Sequence, residues 1–243
     1  MTGLFGRLFG AGRDDGSRPA VTELLRKHGL RALDKQVHLS DLFDEADWLL
    51  DQDEGTIAFG GDVVCSAQVL GTQADASGTW LWAWANRSVP ATARRDADLM
   101  RSFGQRHGIP AFTEAERAID PAMTPEMLSL VASELTDADG YYRAPSDAGA
   151  VFVLLRLPGG APHRALGDVR HVVRTLGLAQ LVLTVGFDRE AIEVYLASAG
   201  LEVLGGADEV IGRGADEASV TVRFDRLGRI REIRTTLDPD EET

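Results

Sequence analysis

Cysteine is nearly absent from this chain, which has a single one, Cys65, in 243 residues. One thiol excludes an intramolecular disulfide, and it excludes a zinc site built from several cysteines. Val63 and Val64 before it and Ala67 after it are typical of a strand, so we expect a buried thiol without a chemical role. The scarcity of cysteine favours a reducing compartment, the cytoplasm.

Long apolar runs are missing as well. No stretch of about eighteen apolar residues occurs, so the sequence predicts no transmembrane segment. Arg7 and Gly10 interrupt the apolar start of the chain before any cleavage-like site, so we expect no signal peptide. Both absences predict a soluble, cytoplasmic protein.

Positive charge is scarce, because 25 basic residues face 38 acidic ones and leave a net charge of −13. Binding to phosphate backbones requires clustered lysine and arginine, so the composition predicts no nucleic-acid partner. Opposite charge steers association, so a basic protein is a natural partner for such a chain. An acidic, immunity-type inhibitor of a basic partner is therefore one alternative function.

Familiar catalytic motifs are also missing, among them G-x-S-x-G, G-x-G-x-x-G, the P-loop and H-E-x-x-H. The sequence accordingly predicts no catalytic residue, no metal ligand and no cofactor. His163 and His171 lie eight residues apart, more than two helical turns, which disfavours a shared metal. An enzyme with a pocket in the C-terminal region, using carboxylates or these histidines as acid and base, is the rival hypothesis.

Helical and strand patterns alternate along the chain and predict an α+β protein. Helices are predicted near residues 20–39, 90–107, 113–116, 125–135, 164–176 and 189–199. Ser88 is the expected cap of the second helix and Gly108 its end, while Thr124, with proline after it, starts the fourth helix. Strands are predicted near residues 56–59, 63–70, 79–86, 150–157, 181–185, 201–204, 219–224 and 229–237, with Asp225–Gly228 as the turn of the last hairpin. The short polar loops between the first three strands predict an antiparallel meander.

The segment Pro158-Gly-Gly-Ala-Pro162 is the strongest boundary signal in the chain. We expect a flexible tail at residues 1–19 and an α+β domain at residues 20–157, with an antiparallel meander sheet flanked by helices. A smaller C-terminal α+β domain is expected at residues 163–243.

Carboxylates cluster between residues 41 and 54, where no lysine or arginine occurs. Such oxygens bind hard cations. However, the spacing of an EF-hand is absent, and Asp53-Glu-Gly55 is typical of a hairpin turn. We therefore interpret the cluster as a solvated acidic face.

The most unusual segment is Thr79-Trp-Leu-Trp-Ala-Trp-Ala-Asn86, in which large and small side chains alternate. In a strand, this alternation places the three tryptophans and the asparagine on one face. A hairpin loop centred near Asp75 would place Leu70, Gln68 and Ser66 opposite the tryptophans.

This tryptophan face has two interpretations. Large aromatic side chains usually belong to the core, but flat aromatic surface with a few polar groups also forms ligand pockets. On the second interpretation the protein is a non-catalytic module that binds a small molecule or a protein, in an unspecified oligomeric state. The candidate ligand-binding residues are Trp80, Trp82, Trp84, Asn86, Gln68, Tyr141, Tyr142 and Arg143.

Three segments together resemble an uncharacterised bacterial family of unknown function. They are Trp48-x-x-Asp-x-Asp-x-Gly-Thr-Ile-x-Phe59, the tryptophan segment, and Gly140-Tyr-Tyr-Arg-x-Pro145. The family more often has proline after the asparagine, where this chain has Arg87. The resemblance covers roughly residues 20–157. It implies a boundary near Pro158 and supplies no activity.

The C-terminal segment Val220-x-Val-x-Phe-Asp-x-x-Gly-Arg-Ile230 is similar to the closing strands of NTF2-like domains. That resemblance implies a fold that often encloses a pocket. Fold analogy does not decide whether such a pocket serves catalysis or binding.

Overall fold

The computed structural model describes residues 15–43, 46–159, 165–183, 185–215 and 217–237. Its helices are α1 Ser17–Phe43, α2 Arg95–His107, α3 Pro110–Thr113, α4 Pro125–Leu135, α5 Val169–Val182 and α6 Arg189–Ser198. Its strands are β1 Trp48–Asp51, β2 Thr56–Phe59, β3 Val63–Ala74, β4 Thr79–Trp82, β5 Glu116–Ala118, β6 Gly140–Ser146, β7 Gly149–Arg156, β8 Glu202–Gly205, β9 Glu209–Arg213, β10 Ser219–Phe224 and β11 Ile230–Thr236. The predicted α+β class is confirmed.

The larger sheet is built around β3 and contains seven antiparallel strands in the described part of the chain. One edge of β3 pairs with β7, while its other edge pairs first with β2 and then with β4. β1 continues from β2, β5 from β4, and β6 from β7. The predicted antiparallel hairpins join β2 to β3 and β3 to β4, but β2 and β4 lie one after the other along the same edge of β3.

Both faces of β7 are buried, which explains its continuous apolar sequence. In β7, Phe152, Val153, Leu154 and Leu155 are each at most 1% exposed. Their side chains alternate between the two faces, so helices or neighbouring strands must cover both. The sheet is therefore the centre of the core.

The tryptophan strand is shorter than predicted, because β4 ends at Trp82. The chain then turns, and the N–H of Ala85 donates to the carbonyl of Trp82 at 3.0 Å. The predicted register is also wrong, since Gly71 pairs with Trp82 and Gln73 with Trp80. The Trp80 ring lies over Gly71, where a Cβ would be 2.3 Å from a ring carbon, so the fit of a large residue over glycine sets the register.

Several helix boundaries follow from their capping residues. Thr124 caps α4 by accepting the N–H of Met127 at 3.4 Å, and Gly108 ends α2 with a left-handed φ of 64°, both as predicted. The cap predicted at Ser88 is wrong, because α2 begins at Arg95 after a short 3₁₀ turn. The predicted helix at residues 113–116 is also wrong, since residues 116–118 form β5 against β4.

The C-terminal part consists of α5, α6 and a four-stranded antiparallel sheet, among the residues described there. Asp168 caps α5 by accepting the N–H groups of Arg170 and His171. The helix therefore begins at Val169 and continues to Val182, so the strand predicted at residues 181–185 is wrong. The turn at Asp225–Gly228 is confirmed by a hydrogen bond from the Gly228 N–H to the Asp225 carbonyl.

Helix α1 contacts elements on both sides of the predicted boundary near Pro158. Glu134 of α4 forms ion pairs with Arg31 and Lys35 of α1 at 2.8 and 2.7 Å. Asp41 of α1 pairs with Arg174 of α5 at 2.6 Å. Residues 1–14 and 160–164 lie outside the described residues, so the tail and the exact domain limits stay predictions.

Candidate functional site

Trp80 and Trp82, the centre of the predicted tryptophan face, lie in the core with 1% and 0% exposure. Their rings meet edge to face at 5.4 Å, and the rings of Phe152 and Phe112 extend the cluster. The indole N–H of Trp82 donates to the carbonyl of Ala111 at 2.9 Å, which satisfies a buried donor. Neither indole offers surface to a ligand in this structure.

Trp84 and Asn86 follow the end of β4 and serve separate contacts. The guanidinium of Arg101 lies 4.3 Å from the centre of the Trp84 ring, a cation–π distance. The side-chain oxygen of Asn86 accepts the N–H of Ser88 at 3.0 Å and stabilises the local turn. Trp84 and Asn86 are therefore not on the strand that carries Trp80 and Trp82.

Gln68 ties β3 to the start of α2. Its side-chain nitrogen donates to the carbonyl of Thr92 at 3.0 Å, and its oxygen accepts the N–H of Arg95 at 2.9 Å. Both ends of the amide are therefore occupied by backbone groups near the helix terminus. In the register of the sheet, Leu154 of β7 lies between Gln68 and Tyr141.

Tyr141, Tyr142 and Arg143 lie together on β6, with side chains on alternating faces. Tyr142 meets Phe59 edge to face at 5.1 Å, and Trp48 lies 5.8 Å from it. Tyr141 points to the other face. Burial raises the pKa of both tyrosine hydroxyls, so each remains a protonated hydrogen-bond donor at neutral pH.

A cavity of about 240 Å³ lies between the last turns of α1 and strand β6. Leu39 and Leu155 are buried, while Ser40 and Arg143 are exposed. The other residues around the cavity are Gln36, Phe43, Tyr141 and Tyr142. It is a small pocket with aromatic and aliphatic walls and a few polar groups, the composition typical of ligand sites.

Two contacts fix the strand against the helix at this pocket. The side-chain oxygen of Gln36 accepts the N–H of Tyr141 at 3.0 Å. Gly140 allows the close approach, because a Cβ there would lie 2.4 Å from a methyl group of Leu39. The pocket is therefore formed by elements that hold each other in place.

Arg143 is the only cation among the described residues around the pocket. Its guanidinium lies 3.9 Å from the carboxylate of Glu126, and both side chains are 42% exposed. An ion pair this long and this exposed contributes little, so the guanidinium can exchange Glu126 for an anionic ligand. Among the described residues around the pocket, no nucleophile lies beside a base.

The sequence did not identify the helical half of this pocket. Gln36, Leu39, Ser40 and Phe43 come from α1, about a hundred residues before the tyrosines in the chain. Helical periodicity could predict which of them are buried. It could not predict that the last turns of α1 lie beside β6.

His171, part of the rival enzyme hypothesis, lies in the interface between helices. Its Nε2 atom is 3.2 Å from a carboxylate oxygen of Asp34, and the hydroxyl of Tyr195 donates to that oxygen at 2.8 Å. Asp34 is 3% exposed, so this cluster joins α1, α5 and α6 away from solvent. His163 lies outside the described residues.

The acidic segment forms β1 and the turn after it. The Asp51 carboxylate accepts the N–H groups of Asp53 and Glu54, both at 3.0 Å, which confirms the hairpin turn. Across the described ranges, no three histidine, cysteine, aspartate or glutamate side chains are grouped to hold a metal. None of the helices described there is long and apolar enough to cross a membrane.

In the part of the chain that the structure describes, the fold and pocket define an α+β protein with two antiparallel sheets and a small cavity between a helix and a strand. A family model described as a family of unknown function, DUF6882, matches residues 22–158, more than half of the chain. The chain belongs to this family, as the sequence resemblance predicted. The NTF2-like resemblance is not confirmed. Neither curated proteins nor solved structures give a significant match.

Proposed function

We propose that this protein is a non-catalytic binding module whose site is the pocket between α1 and β6. The observation that supports it is the convergence of Tyr141, Tyr142 and Arg143 with the end of α1 around one cavity. The aromatic and leucine walls favour a flat apolar group, and Arg143 favours a carboxylate. The proposed ligand class is a small aromatic carboxylate.

The volume of the pocket limits the size of the ligand. Sites for drug-sized compounds usually measure about 300–1,000 Å³, and this cavity measures about 240 Å³. A compound with one ring and one carboxylate matches the smaller volume. Burial raises the pKa of both tyrosine hydroxyls, so neither carries a negative charge that would repel the carboxylate at neutral pH.

The test is ligand-observed NMR with benzoate and phenylacetate as probes, followed by titration. We expect Arg143→Gln to weaken binding by about tenfold or more, because a charged hydrogen bond is lost. Arg213→Gln is a matched control, since Arg213 also pairs with a glutamate, Glu202, at 3.9 Å and is half exposed. Equal affinities in the two variants, or no binding by either probe, would refute the proposal.

A second variant tests the location without changing charge. Ser40 is exposed and lies beside the cavity, so Ser40→Trp places an indole where the ligand would enter. We expect loss of probe binding with an unchanged circular dichroism spectrum. Retained binding in a folded Ser40→Trp variant would place the site elsewhere.

A further inference from the structure

An apolar row crosses the outer face of β1, β2 and β3, on the side away from the core. Leu49 pairs with Ala58, and Ala58 pairs with Val64, so the three side chains lie side by side across the strands. Leu49 is 73% exposed and Val64 50%. Their strand neighbours, such as Ile57 and Cys65, point inward and are fully buried. We name the three residues the outer row.

Acidic residues surround the outer row. No lysine or arginine occurs from residue 36 to residue 86. The carboxylates on β1 and on the turns beside it are exposed, and none lies within ion-pair distance of a basic side chain in the described ranges. These residues are Asp47, Asp51, Asp53, Glu54 and Asp62. The neighbouring Asp41, by contrast, is paired with Arg174.

An apolar centre inside a rim of unpaired like charges is the anatomy of a docking surface for a partner of opposite charge. We propose that the outer row is the centre of a docking face for a basic protein that presents apolar side chains between its lysines or arginines. Nucleic acids and anionic membranes carry the wrong charge for this rim. A second copy of this chain would bring the same carboxylates face to face, and like charges oppose that contact.

This face is separate from the pocket between α1 and β6, so the inference does not depend on the proposed ligand. Trp48 and Leu50 alternate with Leu49 and point to the opposite side of the sheet. Substitutions of the outer row therefore leave the pocket walls in place. The two sites can be tested independently in the same full-length protein.

The probe is a fluorescein-labelled peptide of alternating arginine and valine, followed by fluorescence anisotropy. We expect binding to the wild-type protein that weakens as salt is added. The double variant Leu49→Ser with Val64→Ser keeps every carboxylate, and it should bind at least about tenfold more weakly because the apolar centre is lost. Leu227→Ser is the matched control, since Leu227 is 75% exposed in another turn.

Both substituted residues are exposed, so the double variant should fold like the wild type, which circular dichroism checks. Equal binding by the wild type and the double variant would mean attraction by net charge alone and would overturn the proposal. No binding at low salt would also overturn it. Sedimentation showing a dimer that the double variant abolishes would assign the face to a second copy instead of a basic partner.

Discussion

Replacing Gly71 by alanine is the sharpest test of how the tryptophan strand packs. Gly71 lies in β3 opposite Trp82, and the ring of Trp80 covers it. A Cβ at this position would lie 2.3 and 2.6 Å from two ring carbons of Trp80 and 2.7 Å from the Leu81 carbonyl oxygen. Neither neighbour can move easily, because Trp80 is 1% exposed and the carbonyl belongs to the backbone of β4.

The expected loss in the free energy of unfolding follows from these short distances. Added methyl groups in packed cores usually destabilise by about 1–3 kcal/mol, and contacts this short place Gly71→Ala at the upper end, about 3 kcal/mol. For a chain of this length the melting temperature should fall by about 6–12 °C. The substitution keeps charge and hydrophobicity, so steric overlap is the cause of the loss.

Urea unfolding followed by circular dichroism and by tryptophan fluorescence measures the change. Gly177→Ala is the control, since Gly177 lies in the exposed face of α5 and a Cβ added there would have no atom within 4 Å. That variant should gain about 0.5–1 kcal/mol, because alanine is the better helix former. A Gly71→Ala protein within about 0.5 kcal/mol of the wild type would refute the packing described for Trp80.

Three further outcomes are expected. Trp82→Phe removes the donor to the buried carbonyl of Ala111 and should cost about 1–3 kcal/mol in urea unfolding. Asp34→Ala removes the acceptor of the buried Tyr195 hydroxyl and the carboxylate beside His171 and should cost about 1–3 kcal/mol, whereas the exposed Asp41→Ala should cost at most about 1 kcal/mol. Burial raises the pKa of Cys65 from 9.0 to about 11, so its contribution to stability is complete below pH 9 and is lost as the pH rises to about 11. Tyr141 and Tyr142, whose pKa is also raised, add to the loss at the upper end of this range, so Cys65→Ala should reduce the loss without removing it. A loss of the same size between pH 9 and 11 in the wild type and in Cys65→Ala would contradict the burial of the thiol.

Local sequence signals predicted the helix boundaries that are set by capping residues. Thr124, with proline after it, predicted the start of α4, and Gly108 predicted the end of α2, because both residues act on the backbone beside them. β1 was missed, since Trp48-Leu-Leu-Asp51 lies among carboxylates that suggested a solvated segment. Its strand character comes from pairing with β2, which is not visible in four residues.

The candidate site was predicted only where its residues are neighbours in the sequence. Tyr141, Tyr142 and Arg143 are adjacent in sequence, so their grouping could be predicted, and they do lie around one cavity. Gln68 was placed opposite the tryptophans through a register that is wrong, since Gly71 is the residue that pairs with Trp82. The observed register depends on Gly71, which leaves room for the ring of Trp80. This tertiary contact is not encoded in the alternation of large and small side chains along the strand.

The most direct test of the proposed binding site uses the indole signals of the four tryptophans in a ¹⁵N-labelled sample. Trp48 lies 5.8 Å from Tyr142 at the pocket, whereas Trp80 and Trp82 are enclosed in the core. The spectrum of the Trp48→Phe variant identifies the indole signal of Trp48, because that signal is missing from it. Titration with the aromatic carboxylate that binds best should shift the Trp48 signal and leave those of Trp80 and Trp82 in place. Shifts of the Trp80 or Trp82 signals with Trp48 unchanged would contradict the account and return the site to the tryptophan strand.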